Sequence, residues 1–131
     1  MLELKHRIIS TITLLVLDIP WIMYVMGPKY EILIKNIQNS KMETNRLYIF
    51  VVYLLMIIGL NKFVLPLINI KDINIYDCLS IGGVFGIILY GIYDFTAAAV
   101  LKKWDMGIAI IDILWGGFVC FCACYVLKFV N

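Results

Sequence analysis

Long apolar runs alternate with short polar connections along this chain, and four of the runs are long enough to cross a bilayer. They cover approximately residues 8–26, 47–68, 79–101 and 106–129. A hydrocarbon core about 30 Å thick requires roughly 20 residues of α-helix, and each run meets that length. The pattern therefore predicts an all-α integral membrane protein that folds as a four-transmembrane-helix bundle.

Composition supports this fold class and narrows the function classes. The 131 residues are 63% hydrophobic and only 15% charged, whereas a soluble domain is about 45–50% apolar and about 25% charged. The net charge of +2 is small and scattered, which argues against a nucleic-acid partner. No segment has the composition of a soluble domain, so residues 1–131 are predicted to form a single membrane domain with membrane lipids as partners.

The N-terminal segment resembles a signal peptide but lacks one of its parts. Lys5, His6 and Arg7 precede an apolar stretch, yet no small-x-small cleavage site follows it. We therefore interpret it as the first span. Basic residues are more numerous in the first and third connections than on the side of the termini, and the positive-inside rule then favours a topology in which these two connections are cytoplasmic and both termini are outside.

The connection between the first two spans is the longest. Its apolar residues recur at helical spacing, which predicts a short amphipathic helix at the membrane interface over residues 29–38, with an ordinary polar loop as the alternative. The apolar positions are Tyr30, Leu33, Ile34 and Ile37.

Three aspartates, Asp18, Asp94 and Asp112, lie inside the predicted spans. A carboxylate near the centre of a membrane helix costs about 2.5–3.5 kcal/mol, so it normally faces protein and has a partner. At about 1.5 Å of rise per residue, all three fall in the half of the membrane nearer the first and third connections. We predict that they meet around one pocket.

Small residues share a helical face with two of these acids. Close approach of a neighbouring helix is favoured by such stripes, so the acids are expected to face protein, and the glycine faces are also candidates for a homodimer contact. The stripes are Gly82, Gly86, Tyr90 and Asp94 in span three, and Asp112, Gly116, Cys120 and Cys124 in span four.

Aromatic donors accompany the acids. Trp21 and Trp115 each follow an aspartate by three residues, and an indole N–H can donate to a carboxylate while its ring shields the site. Tyr90 and Tyr93 are further donors. We therefore predict a site that binds a ligand or a proton; its candidates are Asp18, Trp21, Tyr90, Tyr93, Asp94, Asp112 and Trp115.

Other reactive side chains predict neither a metal nor a cofactor. Cys120 and Cys124 are one turn apart while Cys122 points elsewhere, and the single histidine, His6, lies at the far N-terminus. The cysteines are best interpreted as small packing residues. Lys62 is expected to extend to the interface; a salt bridge to Asp18 is the alternative.

Several short segments together resemble a family of small four-span membrane proteins, catalogued as domain of unknown function 2177. They are Leu17-Asp18-x-x-Trp21, Gly82-x-x-x-Gly86-x-x-x-Tyr90-Gly91-x-Tyr93-Asp94-x-Thr96, Leu101-x-x-Trp104 and Asp112-x-x-Trp115-Gly116. The resemblance covers nearly the whole chain and adds Thr96 to the candidate site. The family pattern usually has Asn directly after this threonine, whereas this chain has Ala97.

That resemblance implies a compact four-helix membrane fold and no particular activity. It also implies occurrence in bacteria and large DNA viruses, and the abundance of Ile, Lys and Asn fits an AT-rich genome. A viral source would place the protein in a host or virion membrane.

Three hypotheses for the function follow. The first is handling of a proton or cation, or transport of a small ligand, at the buried acids. The second is a structural or assembly role in a membrane. The third is a lipid-binding module or a membrane-embedded enzyme with two acids as general acid and base; the spans contain no histidine to support such chemistry, and no catalytic residue is predicted.

Overall fold

The computed structural model describes all 131 residues, and every regular element in it is helical. Four helical segments are long and apolar enough to cross a membrane. We refer to them as spans one to four: Leu4–Gln38, Arg46–Leu67, Ile75–Val100 and Met106–Phe129. The predicted fold class, all-α with four candidate transmembrane helices, is confirmed.

Three of the spans contain a π-helical turn. The regular helices are α1 (Leu4–Trp21), α2 (Gly27–Gln38), α3 (Arg46–Gly59), α4 (Ile75–Asp77), α5 (Val84–Val100) and α6 (Met106–Tyr125). The π-helical turns are Ile22–Met26 between α1 and α2, Leu60–Val64 after α3, and Cys78–Gly83 between α4 and α5. A 3₁₀ turn ends span two at Leu65–Leu67, and another ends span four at Val126–Phe129.

Spans three and four form the closest helix pair because glycine leaves room for backbone contact. A Cβ added at Gly86 would overlap the carbonyl oxygen of Gly116, and one added at Gly82 would lie 2.9 Å from that of Cys120. Both predicted stripes therefore face each other inside the chain.

An apolar core closes the half of the bundle nearer the termini. Leu14, Leu60 and Val119 are fully buried there, and each comes from a different span. Ser10 Oγ donates to the carbonyl of Ala123 at 2.5 Å, and Arg7 Nη1 donates to that of Asn61 at 2.6 Å. These bonds satisfy polar groups that apolar surroundings would otherwise penalise.

Span two is the least packed. Every residue from 46 to 52 is exposed, and Tyr53 is the first of this span that is partly buried. Lys62 is exposed on the same span, consistent with extension to the interface. Lys62 forms no salt bridge with Asp18. The one salt bridge of the chain links Lys5 and Glu3.

Helix α2 packs over loop three, the connection of residues 101–105 between α5 and α6. Leu33 of α2 forms a small buried cluster with Trp104 and Ala109, and Lys103 Nζ donates to the carbonyl of Asn36 at 3.3 Å. The segment for which the sequence allowed a helix or a polar loop is therefore helical, and its apolar side covers one end of the bundle.

Two glycines of α5 provide a matched test of this packing. Gly86→Ala is expected to lower the free energy of unfolding by about 1–3 kcal/mol, since the new methyl group has to displace the α6 backbone. Gly91 has no atom within 4 Å of an added Cβ, so Gly91→Ala should gain about 0.5–1 kcal/mol from helix propensity. SDS titration in mixed micelles measures both, and equal effects would contradict the contact.

Candidate functional site

The structure divides the three aspartates of the candidate spans into two groups with different surroundings. Asp18 has a full set of hydrogen-bond donors of its own, whereas Asp94 and Asp112 lie beside each other without such donors. All three were predicted to meet around one pocket. Asp94 and Asp112 lie side by side, and Asp18 is near enough to Asp112 to interact with it electrostatically but has hydrogen-bond donors of its own.

Asp18 joins all four spans through three hydrogen bonds. Tyr53 Oη of span two donates to Asp18 Oδ2 at 2.7 Å. Tyr90 Oη of span three donates to Oδ1 at 2.7 Å, and Trp115 Nε1 of span four donates to the same oxygen at 3.0 Å. The carboxylate is only 2% exposed. Three donors on one carboxylate form strong, charge-assisted hydrogen bonds, so Asp18 is a satisfied structural centre.

Asp94 is the opposite case. It is 0% exposed, and neither of its carboxylate oxygens has a hydrogen-bond partner. Asp112 is its immediate neighbour and is almost as deeply buried. No lysine or arginine forms a salt bridge with either residue. A buried charge without a partner is costly, so this pair needs a proton, a cation or a polar ligand to compensate it.

Three aromatic side chains surround the pair at the loop-three end; we call them the aromatic cluster. Trp104 lies between the other two, with its ring centroid 6.0 Å from that of Tyr30 and 5.9 Å from that of Tyr93. Tyr93 packs on Trp104 edge-to-face at an interplanar angle of 85°. Tyr30 comes from α2, Tyr93 from α5 and Trp104 from loop three, so the aromatic cluster forms only when these elements pack together.

Buried donors near the pair are also unpartnered. The Tyr30 hydroxyl and the Trp104 Nε1–H have no hydrogen-bond partner, although Tyr30 is a neighbour of Asp112 and Trp104 a neighbour of Asp94. These donors and the carboxylate oxygens therefore lie next to one another without a hydrogen bond of good geometry between them. Unpartnered buried polar atoms are rare in folded proteins, and here several occur around one place.

The two predicted tryptophans stack against each other between the two groups of acids. The ring centroids of Trp21 and Trp115 are 4.1 Å apart, and the ring planes differ by 7°. Trp115 donates to Asp18 and not to Asp112, which precedes it by one turn. Trp21 Nε1 is buried without a partner. The stack thus connects the Asp18 network to the neighbourhood of Asp112.

The remaining predicted residues divide between these surroundings. Tyr90 belongs to the Asp18 network, and Tyr93 belongs to the aromatic cluster. Thr96 lies on the exposed side of α5, and no contact in the structure links it to the acids. No three side chains of the His, Cys, Asp or Glu type come together as a ligand set for a metal ion.

Sequence reasoning missed Tyr30, Tyr53 and Trp104 as site residues. Tyr53 did carry a signal, because a tyrosine deep within a span, away from the interfacial aromatic belts, needs a partner for its hydroxyl. Tyr30 was assigned only to an amphipathic face, and Trp104 only to the family resemblance. Each meets its acid through tertiary packing, which the spacing along one helix does not report.

The four apolar spans and their two groups of buried acids define a small polytopic membrane protein. The model of the family described as a predicted membrane protein (DUF2177) matches residues 4–127. The chain therefore belongs to this family, as its sequence segments predicted, and is an integral, multi-pass membrane protein. No curated protein and no solved structure matches it, and no comparison supports a viral origin.

Proposed function

We propose that the protein handles a proton or a small cation at the Asp94–Asp112 pair. The observation that supports this function is the complete burial of Asp94 with both carboxylate oxygens unpartnered, directly beside a second carboxyl group. Intramembrane acids of this kind typically mark ion pathways, proton relays or ligand sites. Two adjacent carboxyl groups bind protons as a coupled pair.

Asp18 provides an internal comparison within the same membrane half. Its carboxylate receives three donors, so this bundle is able to neutralise a buried acid when that acid serves only to hold helices. Donors are also available near Asp94, from Trp104 and Tyr30, but they remain unengaged. The difference favours a pair that is kept open for an exchangeable partner.

The surroundings suggest which side the pair exchanges with. Toward the termini the bundle is filled by fully buried residues such as Leu14 and Val119 and by the Asp18 network. Toward loop three the pair is covered by α2 and by Tyr30, Tyr93 and Trp104. Exchange on the loop-three side therefore requires movement of α2 and loop three, whereas passage across the membrane also requires the Asp18 network to open.

Proton flux into liposomes tests this proposal. We expect purified wild-type protein to carry a pH-gradient-driven proton flux, reported by an internal dye, and Asp94→Asn to reduce it to the level of protein-free liposomes. Asp105→Asn is the matched control: Asp105 is an exposed N-cap that accepts from Gly107 and Ile108, and asparagine caps equally well. Wild-type flux that survives in Asp94→Asn would contradict the role of the pair.

A structural or assembly role is the second candidate, and the Asp18 network is the observation that favours it. One carboxylate that joins four helices is a device for fixing their arrangement. If the wild type carries no flux while its fold is intact, the assembly role becomes the better interpretation of the buried acids.

A further inference from the structure

We propose that the site binds the headgroup of a zwitterionic aminophospholipid. In this arrangement the ammonium group lies at the Asp94–Asp112 pair, within the aromatic cluster of Tyr30, Tyr93 and Trp104. The phosphate lies in a basic cavity beside this cluster. The inference rests on the proposed function, since the ammonium group is the cation that the pair would bind.

The ammonium half of the site combines two kinds of cation recognition. Aromatic faces attract a cation through their quadrupoles, most strongly in the case of tryptophan, and buried carboxylates accept hydrogen bonds from an ammonium group. Asp94 is fully buried and Trp104 is more than nine-tenths buried, and both carry unpartnered polar atoms. An ammonium ion would give the Asp94 oxygens the donors that they lack.

The anionic half is an open surface cavity of about 590 Å³ where α2 meets loop three. The four residues that line it are all polar or charged: Lys35, Asn36, Asn39 and Lys103. Lys103 is the residue directly before Trp104, and its bond to the Asn36 carbonyl holds it against α2. The cavity and the aromatic cluster therefore both lie where α2 contacts loop three.

Charge complementarity argues for a ligand that carries both signs. A simple cation that approaches from loop three meets Lys35 and Lys103 first, and a simple anion is repelled by Asp94 and Asp112. A ligand with an ammonium group a few atoms from a phosphate matches the basic cavity outside and the acidic pair inside. Such matching sets specificity more than it sets raw affinity.

The depth of the site and its lateral exposure point to a lipid as the source of this group. Asp94 precedes the end of α5 at Val100 by six residues, or about 9 Å of helix, which is near the boundary between acyl chains and headgroups. Tyr93 is 55% exposed on the outer surface of α5, so one side of the aromatic cluster faces the bilayer. A headgroup is able to enter from the side while its chains stay in the membrane.

Native mass spectrometry of the full chain, exposed to equal amounts of phosphatidylethanolamine and phosphatidylglycerol, tests the inference. We expect preferential retention of phosphatidylethanolamine by the wild type. Asp94→Asn, on the ammonium side, should abolish the preference, whereas Lys35→Gln with Lys103→Gln, on the phosphate side, should weaken retention of both lipids because both carry a phosphate. Lys71→Gln, which changes an exposed lysine in the connection between spans two and three, is the control and should retain both lipids as the wild type does. Circular dichroism and SDS titration verify that each variant is folded.

Two outcomes overturn the inference. Equal retention of both lipids by the wild type excludes a headgroup preference, and full displacement of the lipid by soluble phosphoethanolamine identifies a soluble ligand instead. The liposome assay is read separately from this one. Flux that depends on Asp94 without a lipid preference leaves the proposed function standing alone, whereas a preference that depends on Asp94 without flux identifies the bound cation as the ammonium group and excludes proton conduction.

Discussion

Asp18→Ala is expected to lower the free energy of unfolding by at least about 3 kcal/mol, since three part-buried donors lose their only acceptor and each such loss costs about 1–3 kcal/mol. The donors are Tyr53, Tyr90 and Trp115, from three different spans. Asp18 itself belongs to span one. The substitution therefore weakens every contact among the four spans at this level of the membrane.

SDS titration in mixed micelles, followed by circular dichroism, measures this effect. Tyr53→Phe is the graded comparison, because it removes one donor and leaves the carboxylate two others. It should cost about 1.5–3 kcal/mol, the usual contribution of a hydrogen bond to a charged group. Asp18→Ala and Tyr53→Phe with equal, small effects would show that the network does not hold the bundle together.

Asp94→Leu is expected to have the opposite sign and to raise the free energy of unfolding by about 1–3 kcal/mol. Replacement of buried charged groups by apolar side chains of similar volume is often neutral or stabilising by about 1–4 kcal/mol. No donor bonds either oxygen of Asp94 in good geometry, so the substitution leaves no well-bonded donor orphaned. It also removes the acid that the proposed function requires.

The same SDS titration verifies this prediction, with Asp18→Leu as the matched control. Both substitutions replace a buried aspartate by leucine. Only the change at Asp18 leaves hydrogen-bond donors without an acceptor. A loss of stability in Asp94→Leu as large as that in Asp18→Leu would mean that Asp94 has a structural partner. A gain in stability together with lost flux would be the trade-off typical of functional sites.

Part of the candidate site was predictable because its signals are local. Asp94 and Asp112 stand out within apolar runs, and the four-residue spacing of Gly82, Gly86 and Tyr90 places a small-residue face toward a neighbouring helix. Both observations depend on the sequence of one helix at a time. The structure confirms the consequence for packing, since an added Cβ at Gly86 would collide with span four.

The pairing of donors with acids was not predictable in the same way. Trp115 lies one turn from Asp112, yet it donates to Asp18, 97 residues away along the chain. Tyr53 gave no periodic signal in span two, yet its hydroxyl completes the same network. Such pairings depend on how each helix is rotated about its axis and on which helix is its neighbour.

The sequence by itself determined the four candidate spans, the positions of the aspartates within them and the faces on which glycine allows close approach. These properties follow from the length of apolar runs and from the geometry of a single helix. Only the tertiary structure decided that Asp18 is satisfied while Asp94 is not. Hydropathy and spacing are blind to that difference, because the donors come from other spans, from α2 and from loop three, and packing of the whole bundle brings them into place.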